Sequence, residues 1–165
     1  MSEYYALVKW KRSDDEAYID NKYSRGHTWE FDGGVTVPAS SSPHVVPIPY
    51  SVEENVDPEE AFVASISSCH MLFFLALAAK RRYVVESYAD EALGVMEEDE
   101  AGKISMTKVT LRPIVLFEGD RIPSLELIKK LHHQSHEQCF IANSIKTSVA
   151  MRVRVQLFVK LGYLQ

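Results

Sequence analysis

The stretch DPEEAFVASISSCHMLFFLALAAKRR, residues 57–82, decides how the rest of the chain is read. It opens with helix-starting chemistry. Asp57 can cap the end, and Pro58 suits the first helical position, where an N–H would have no intrahelical partner. Glu60 completes a capping box three residues on. Lys80, Arg81 and Arg82 complement the negative end of a helix dipole, so the pattern predicts one helix from Asp57 to about Arg82. Between Ala61 and Ala79 no residue carries a formal charge, and a run of that length could cross a membrane. Ser65, Ser67, Ser68, Cys69 and His70 interrupt it, however, and no second candidate span exists. The helix therefore reads as the buried centre of a domain or of a dimer.

Upstream, Tyr4 to Lys11 reads as a strand. His27 to Phe31, the turn residues Asp32-Gly33-Gly34, and Val35 to Val37 form a hairpin signature. Pro38 to Val56 carries four prolines and a serine run, which predicts a long surface loop. Downstream, Tyr88 to Glu98 and Lys103 to Phe117 look like a long hairpin around Asp99–Gly102, with Pro113 at an edge or bulge. Ser124 to Gln138, introduced by Pro123, reads as a second helix. Thr147 to Phe158 alternates Val149, Met151, Val153, Val155 and Leu157 inward with Arg152, Arg154 and Gln156 outward, as a half-buried strand does. Strands, helix, strands, helix and strand make an α+β chain. We expect one domain over residues 1–165, with N-terminal strands in 1–56, the central helix at 57–82, and the hairpin, second helix and last strand in 83–165.

The 165 residues suffice to bury a core without metal or disulfide staples, and a net charge of −5 leaves no footprint for nucleic acid. Two cysteines are too few for a secreted disulfide scaffold. Met1 to Trp10 lacks a basic segment followed by an apolar run, so a cytoplasmic setting is expected. In a reducing compartment a cysteine pair points to redox chemistry or metal binding.

A cysteine in mid-helix, such as Cys69, is by itself ordinary core packing. Four features argue for chemistry instead. Cys139 stands at the end of the second helix, where the backbone can move as a resolving thiol must. Arg25, in Ser24-Arg25-Gly26-His27, offers a permanent cation that would keep a nearby thiol ionised. Glu59 could orient that guanidinium by a two-point contact. Phe62, Ile66, Leu72, Phe73 and Phe74 form an apolar shell suited to peroxides with an organic tail, and His27 could lie at the same site. Glu59 and Cys69 stand ten residues apart, about 15 Å along a helix axis, so they cannot touch within one chain. Two antiparallel copies of the helix would let Glu59 of one chain approach Cys69 of the other.

Asp57-Pro58-Glu59-Glu60, Ser67-Ser68-Cys69-His70, Cys139 to Ile145, Ser24 to His27 and Trp29 to Gly34 together resemble the OsmC/Ohr family of organic hydroperoxide reductases. The N-terminal segments look most like its OsmC-like branch. The resemblance runs from about Tyr4 to Phe158. It implies antiparallel sheets wrapped around long central helices in an intertwined homodimer. Cys69 would be the peroxidatic thiol, Cys139 the resolving thiol, and Arg25 with Glu59 the activating pair. Phe62, Ile66, Phe73 and His27 would bind the organic hydroperoxide. A dithiol such as a lipoyl-protein would recycle the disulfide, with no cofactor. Phe140 stands where many members have proline, and His70 where many have an apolar residue.

Two other readings stay open. His132, His136 and Cys139 share a helical face and, with Cys69 or His133, could bind zinc. Alternatively Cys69 reacts without turning over, as a redox sensor or in an apolar-ligand-binding stress protein.

Overall fold

The computed structural model describes residues 1–155. They form two compact units, one from Met1 to Phe62 and one from Val63 onward. The first holds an antiparallel sheet of β1 (Ala6–Lys9), β2 (His27–Phe31) and β3 (Thr36–Ala39), in that order. Trp29 on β2 pairs with Val8 on one side and Val37 on the other. The predicted turn closes with Gly34 N–H donating to the Phe31 carbonyl. Gly34 has a φ of 83°, which favours glycine. The Pro38–Val56 stretch is more structured than a surface loop. Ser40 N–H donates to Val56 O and Val56 N–H to Pro38 O, closing the loop on itself. Ser40 and Ser51 are buried, and the Ser40 hydroxyl accepts from Val52 N–H at 2.9 Å. The Ser40 and Ser42 hydroxyls here accept backbone N–H groups, which helps a polar, proline-rich run to pack.

Helix α1 spans Pro58–Lys80 and starts as its sequence predicts. Glu60 N–H donates to Asp57 Oδ1 at 2.7 Å, and Asp57 N–H donates to Glu60 Oε2 at 3.4 Å. It ends in a Schellman motif, with Tyr83 N–H on Ala78 O and Arg82 N–H on Ala79 O. The left-handed position is filled by Arg82, at a φ of 61°.

In the second unit Ile66, His70, Phe74 and Ala78 make one buried stripe along α1 at spacing four. Phe74 and Ala78 join Val115 and Leu131 in the core, with Leu75, Tyr83, Tyr88 and Phe117 packed around them. The expected long hairpin is there in register but broken in two. β5 (Leu93–Glu98) pairs with β6 (Ile104–Leu111) around Asp99–Gly102, whereas β4 (Val84–Asp90) pairs with β7 (Pro113–Glu118) in a separate sheet. The final strand breaks at the same level, into β8 (Ser148–Met151) beside β6 and β9 (Arg154–Val155) beside β7, both parallel. Asp90 marks the break: its carboxylate accepts Arg112 N–H, and Arg152 N–H donates to Leu111 O. Pro113 opens β7, a position where a missing donor is tolerated. β5 approaches α1 at Gly94, where an added Cβ would lie 2.6 Å from Val63 Cγ2. Val149, Met151 and Val153 are half-buried while Arg152 and Arg154 are exposed, as the alternation predicts. Gln156, Leu157 and Phe158 lie outside the described residues.

Helix α2 spans Leu125–Gln138, with the Ser124 hydroxyl accepting Leu127 N–H as its cap. Ile128, Leu131, His132 and Ser135 are buried.

Candidate functional site

Cys69 is half-buried near the middle of α1, and Cys139 caps the C-terminus of α2 with its N–H on His136 O. Both are reduced. Cys69 lies close enough to Cys139 to bear on its acidity, although seventy residues separate them in the chain. Cys139 is 1% exposed, and its sulfur also accepts Ala142 N–H at 3.4 Å. Burial, first, and then the neighbouring Cys69 push the Cys139 thiol up to about 11, against a smaller opposing pull from the Ala142 and Ile141 amides. Cys139 therefore stays protonated at neutral pH.

Apolar rings lie beside the sulfurs in sequence and in space. Phe73, one turn beyond Cys69, meets Phe140, the residue after Cys139, edge to face at 5.1 Å and 82°. Phe140 is 71% exposed and Leu72 is 60% exposed. Ile66 and Phe74 are wholly buried core residues, so an organic ligand would meet Phe73 and Phe140 before either of them. Phe62 is half-buried.

Arg25 is held within its own loop. Its guanidinium donates to Asn21 O, Asn21 Oδ1 and Tyr23 O and lies 3.7 Å above the Tyr23 ring. The loop is fastened in turn: Asn21 takes a φ of 62°, and Tyr23 stacks on Tyr18 at 4.7 Å and meets Trp10 edge-on. His27 spends both ring nitrogens on its neighbours. Nε2 accepts from the Trp29 indole at 3.0 Å, so Nδ1 carries the hydrogen and donates to Arg25 O at 2.7 Å. Glu59 is half-buried in the first turn of α1, where a carboxylate complements the dipole.

Next to the thiols lies a pair that sequence reading did not foresee. His70 Nε2 and His132 Nδ1 are hydrogen-bonded at 3.0 Å, both rings 1% exposed and nearly parallel. Burial holds His70 down at about 4 and His132 at about 3, with His136 adding to the first effect and His70 to the second. This contact uses up His132 Nδ1, while its neighbour His133 is exposed beside Glu137. Among the described residues, no group of three His, Cys, Asp or Glu side chains could hold a metal ion. A separation of 62 residues between His70 and His132 leaves no spacing signal to find.

A family model described as OsmC-like protein matches residues 52–154, well over half of the chain. The chain belongs to the OsmC-like family. Its α+β architecture is the OsmC-like fold. It is 60% identical to an OsmC-like protein of unknown function from Vibrio cholerae, covering 93% of this chain and all of that one, with a TM-score of 0.92. Two organic hydroperoxide resistance proteins share the fold at much lower identity. The one from Elizabethkingia anophelis has 13% identity and a TM-score of 0.63, covering 93% of this chain and 96% of its own. That of Bacillus subtilis has 17% identity and a TM-score of 0.62, covering 93% and 98%. No curated protein matches the chain. Helix α1 is long and apolar enough to span a membrane by length and composition, and the OsmC-like fold accounts for it as a core helix.

Proposed function

We propose that this OsmC-like protein is a cysteine-based peroxidase that reduces organic hydroperoxides. The observation that carries the reading is the juxtaposition of two free thiols seventy residues apart in the chain, one of which, Cys139, is buried and holds its proton. A peroxidatic and a resolving cysteine need that proximity to close a disulfide. Cys69, as thiolate, attacks the terminal oxygen of the hydroperoxide. The O–O bond breaks, the alkoxide leaves and takes a proton as alcohol, and Cys69 becomes a sulfenic acid. Cys139 then attacks that sulfur, water departs, and a disulfide forms. Each cycle consumes one hydroperoxide and two thiol hydrogens. An external dithiol, of the lipoyl-protein kind, exchanges through the disulfide and restores both thiols. No cofactor enters these steps.

The edge-to-face pair of Phe73 and the exposed Phe140 supports an organic rather than a purely inorganic peroxide, as do the names of the hydroperoxide resistance proteins that share the fold. Arg25 is assigned the activating charge and Glu59 the orienting carboxylate, a role that requires the guanidinium to exchange its contacts with Asn21 and Tyr23. Because Glu59 and Cys69 are ten residues apart on one helix, their cooperation requires a homodimer in which α1 helices pack across a twofold axis. Ser68, Leu72 and Ala76 form an exposed stripe on α1 that suits such packing. The cytoplasm, which holds dithiol reductants, is the fitting compartment.

The test is turnover of cumene hydroperoxide and of hydrogen peroxide with a dithiol present. Wild-type protein is expected to turn over, faster with the organic peroxide. Cys69→Ser should abolish reaction, and Cys139→Ser should permit one oxidation and then stall. A single equivalent consumed by the wild type despite excess dithiol would replace the peroxidase by a sensor.

A further inference from the structure

We propose that the His70–His132 hydrogen bond is a latch that fixes the register of α2 on α1 and thereby holds the Cys139 thiol against Cys69. This rests on reading the two cysteines as a working pair.

The placement is the first argument. His70 directly follows Cys69 on α1, and His132 precedes Cys139 by seven residues, two helical turns, on the same face of α2. The latch and the thiol contact therefore join the same two helices. Between them on α2 the buried Ser135 donates to its own helix at Leu131 O, so it makes no cross-link. The second argument is chemical direction. Each unprotonated imidazole has one N–H, so one ring must donate and the other accept, along a single line of 3.0 Å. An apolar contact at this point of the Ile66–Phe74–Ala78 stripe would bury the same surface while tolerating a slide, because hydrophobic contact is non-directional. The stacking of His132 on Phe74, at 4.2 Å and 25°, fixes the ring plane as well.

The third argument is what the pair leaves unpaid. The outer nitrogens, His70 Nδ1 and His132 Nε2, are buried with no hydrogen-bond partner, and so is the Tyr88 hydroxyl. Unpaired buried polar atoms destabilise a core. Two leucines would pack here without that burden, so stability does not account for two histidines, and positioning does.

The experiment reads the thiol pair without peroxide. Reduced protein is equilibrated with mixtures of reduced and oxidised dithiothreitol, and the Cys69–Cys139 disulfide is quantified to give the effective concentration of one thiol at the other. His132→Leu, and the double variant His70→Leu with His132→Leu, are expected to lower it by about tenfold, the order of one lost buried hydrogen bond. The double variant should do so with unchanged or higher thermal stability, which separates positioning from folding and carries the test if His132→Leu alone does not fold. His132→Asn puts an amide where Nδ1 stood, and His70→Gln puts one where Nε2 stood; both should stay within about threefold of wild type. A folded double-leucine variant with the wild-type disulfide equilibrium would overturn the latch. Wild-type protein that forms the disulfide here yet never turns over hydroperoxide would sink the peroxidase reading and leave the latch standing. Wild-type protein that forms no disulfide would remove both.

Discussion

Cys69 and Cys139 differ in chemistry because they differ in surroundings. Cys139 is buried at a helix end beside a second sulfur, and both facts oppose its ionisation. A thiolate alkylates and a thiol does not. Iodoacetamide at pH 8 is therefore expected to label Cys69 first, with Cys139 labelling rising only as the pH nears 11; peptide mapping of a pH series checks this. Equal labelling of both at pH 8 would contradict the asymmetry. The two cysteines were legible in the sequence because the type of residue is the signal. The surroundings of Arg25 and His27 were not. An arginine is recognisable, but that its donors go to Asn21 and Tyr23, and that His27 is bound at both nitrogens, depends on a loop conformation that no spacing encodes.

Helix α1 was readable end to end, since capping chemistry is local and Asp57, Pro58 and Glu60 act within one turn. Its far end carries an unused gain. Arg82 occupies a left-handed position at some cost, so Arg82→Gly should stabilise the protein by about 1 kcal/mol, read in a urea melt. The strands were only half readable. Alternation predicted their faces, but the break between β5 and β4 depends on Asp90 capturing Arg112 N–H from across the hairpin, a contact 22 residues distant. Between α1 and α2, burial gives the His70–His132 pair a pH signature. Both rings stay unprotonated in the fold down to about 4 and about 3, while in the unfolded chain they bind protons from the ordinary value of 6.5 downward. The unfolded state therefore gains protons that the fold refuses. Stability is unaffected above neutral pH and falls as the pH drops from 6.5 towards 4, by an amount on the order of a few kcal/mol. Melts of wild type and of the His70→Gln, His132→Asn double variant should diverge across that window and run parallel above it.

At the scale of the molecule, an apolar helix with one stripe buried and another exposed asks for a second surface. Leu72, 60% exposed between Ser68 and Ala76, is the centre of that stripe. Leu72→Lys should shift the proposed homodimer to monomer in light scattering and lower turnover with it, since Glu59 would lose access to a Cys69. A Leu72→Lys variant that stays dimeric, or a monomer with full activity, would contradict a shared site. The α+β order of elements was evident from periodicity, whereas the homodimer stays a proposal that rests on the Glu59–Cys69 spacing and the resemblance, because no single-chain pattern distinguishes a helix buried by its own fold from one buried by a twin.

The most direct test adds one equivalent of cumene hydroperoxide to fully reduced protein and follows both cysteines by mass spectrometry. We expect both thiols to vanish together, with loss of two hydrogens and a Cys69–Cys139 link within one chain. A Cys139 that remains a thiol while Cys69 gains oxygens would contradict it.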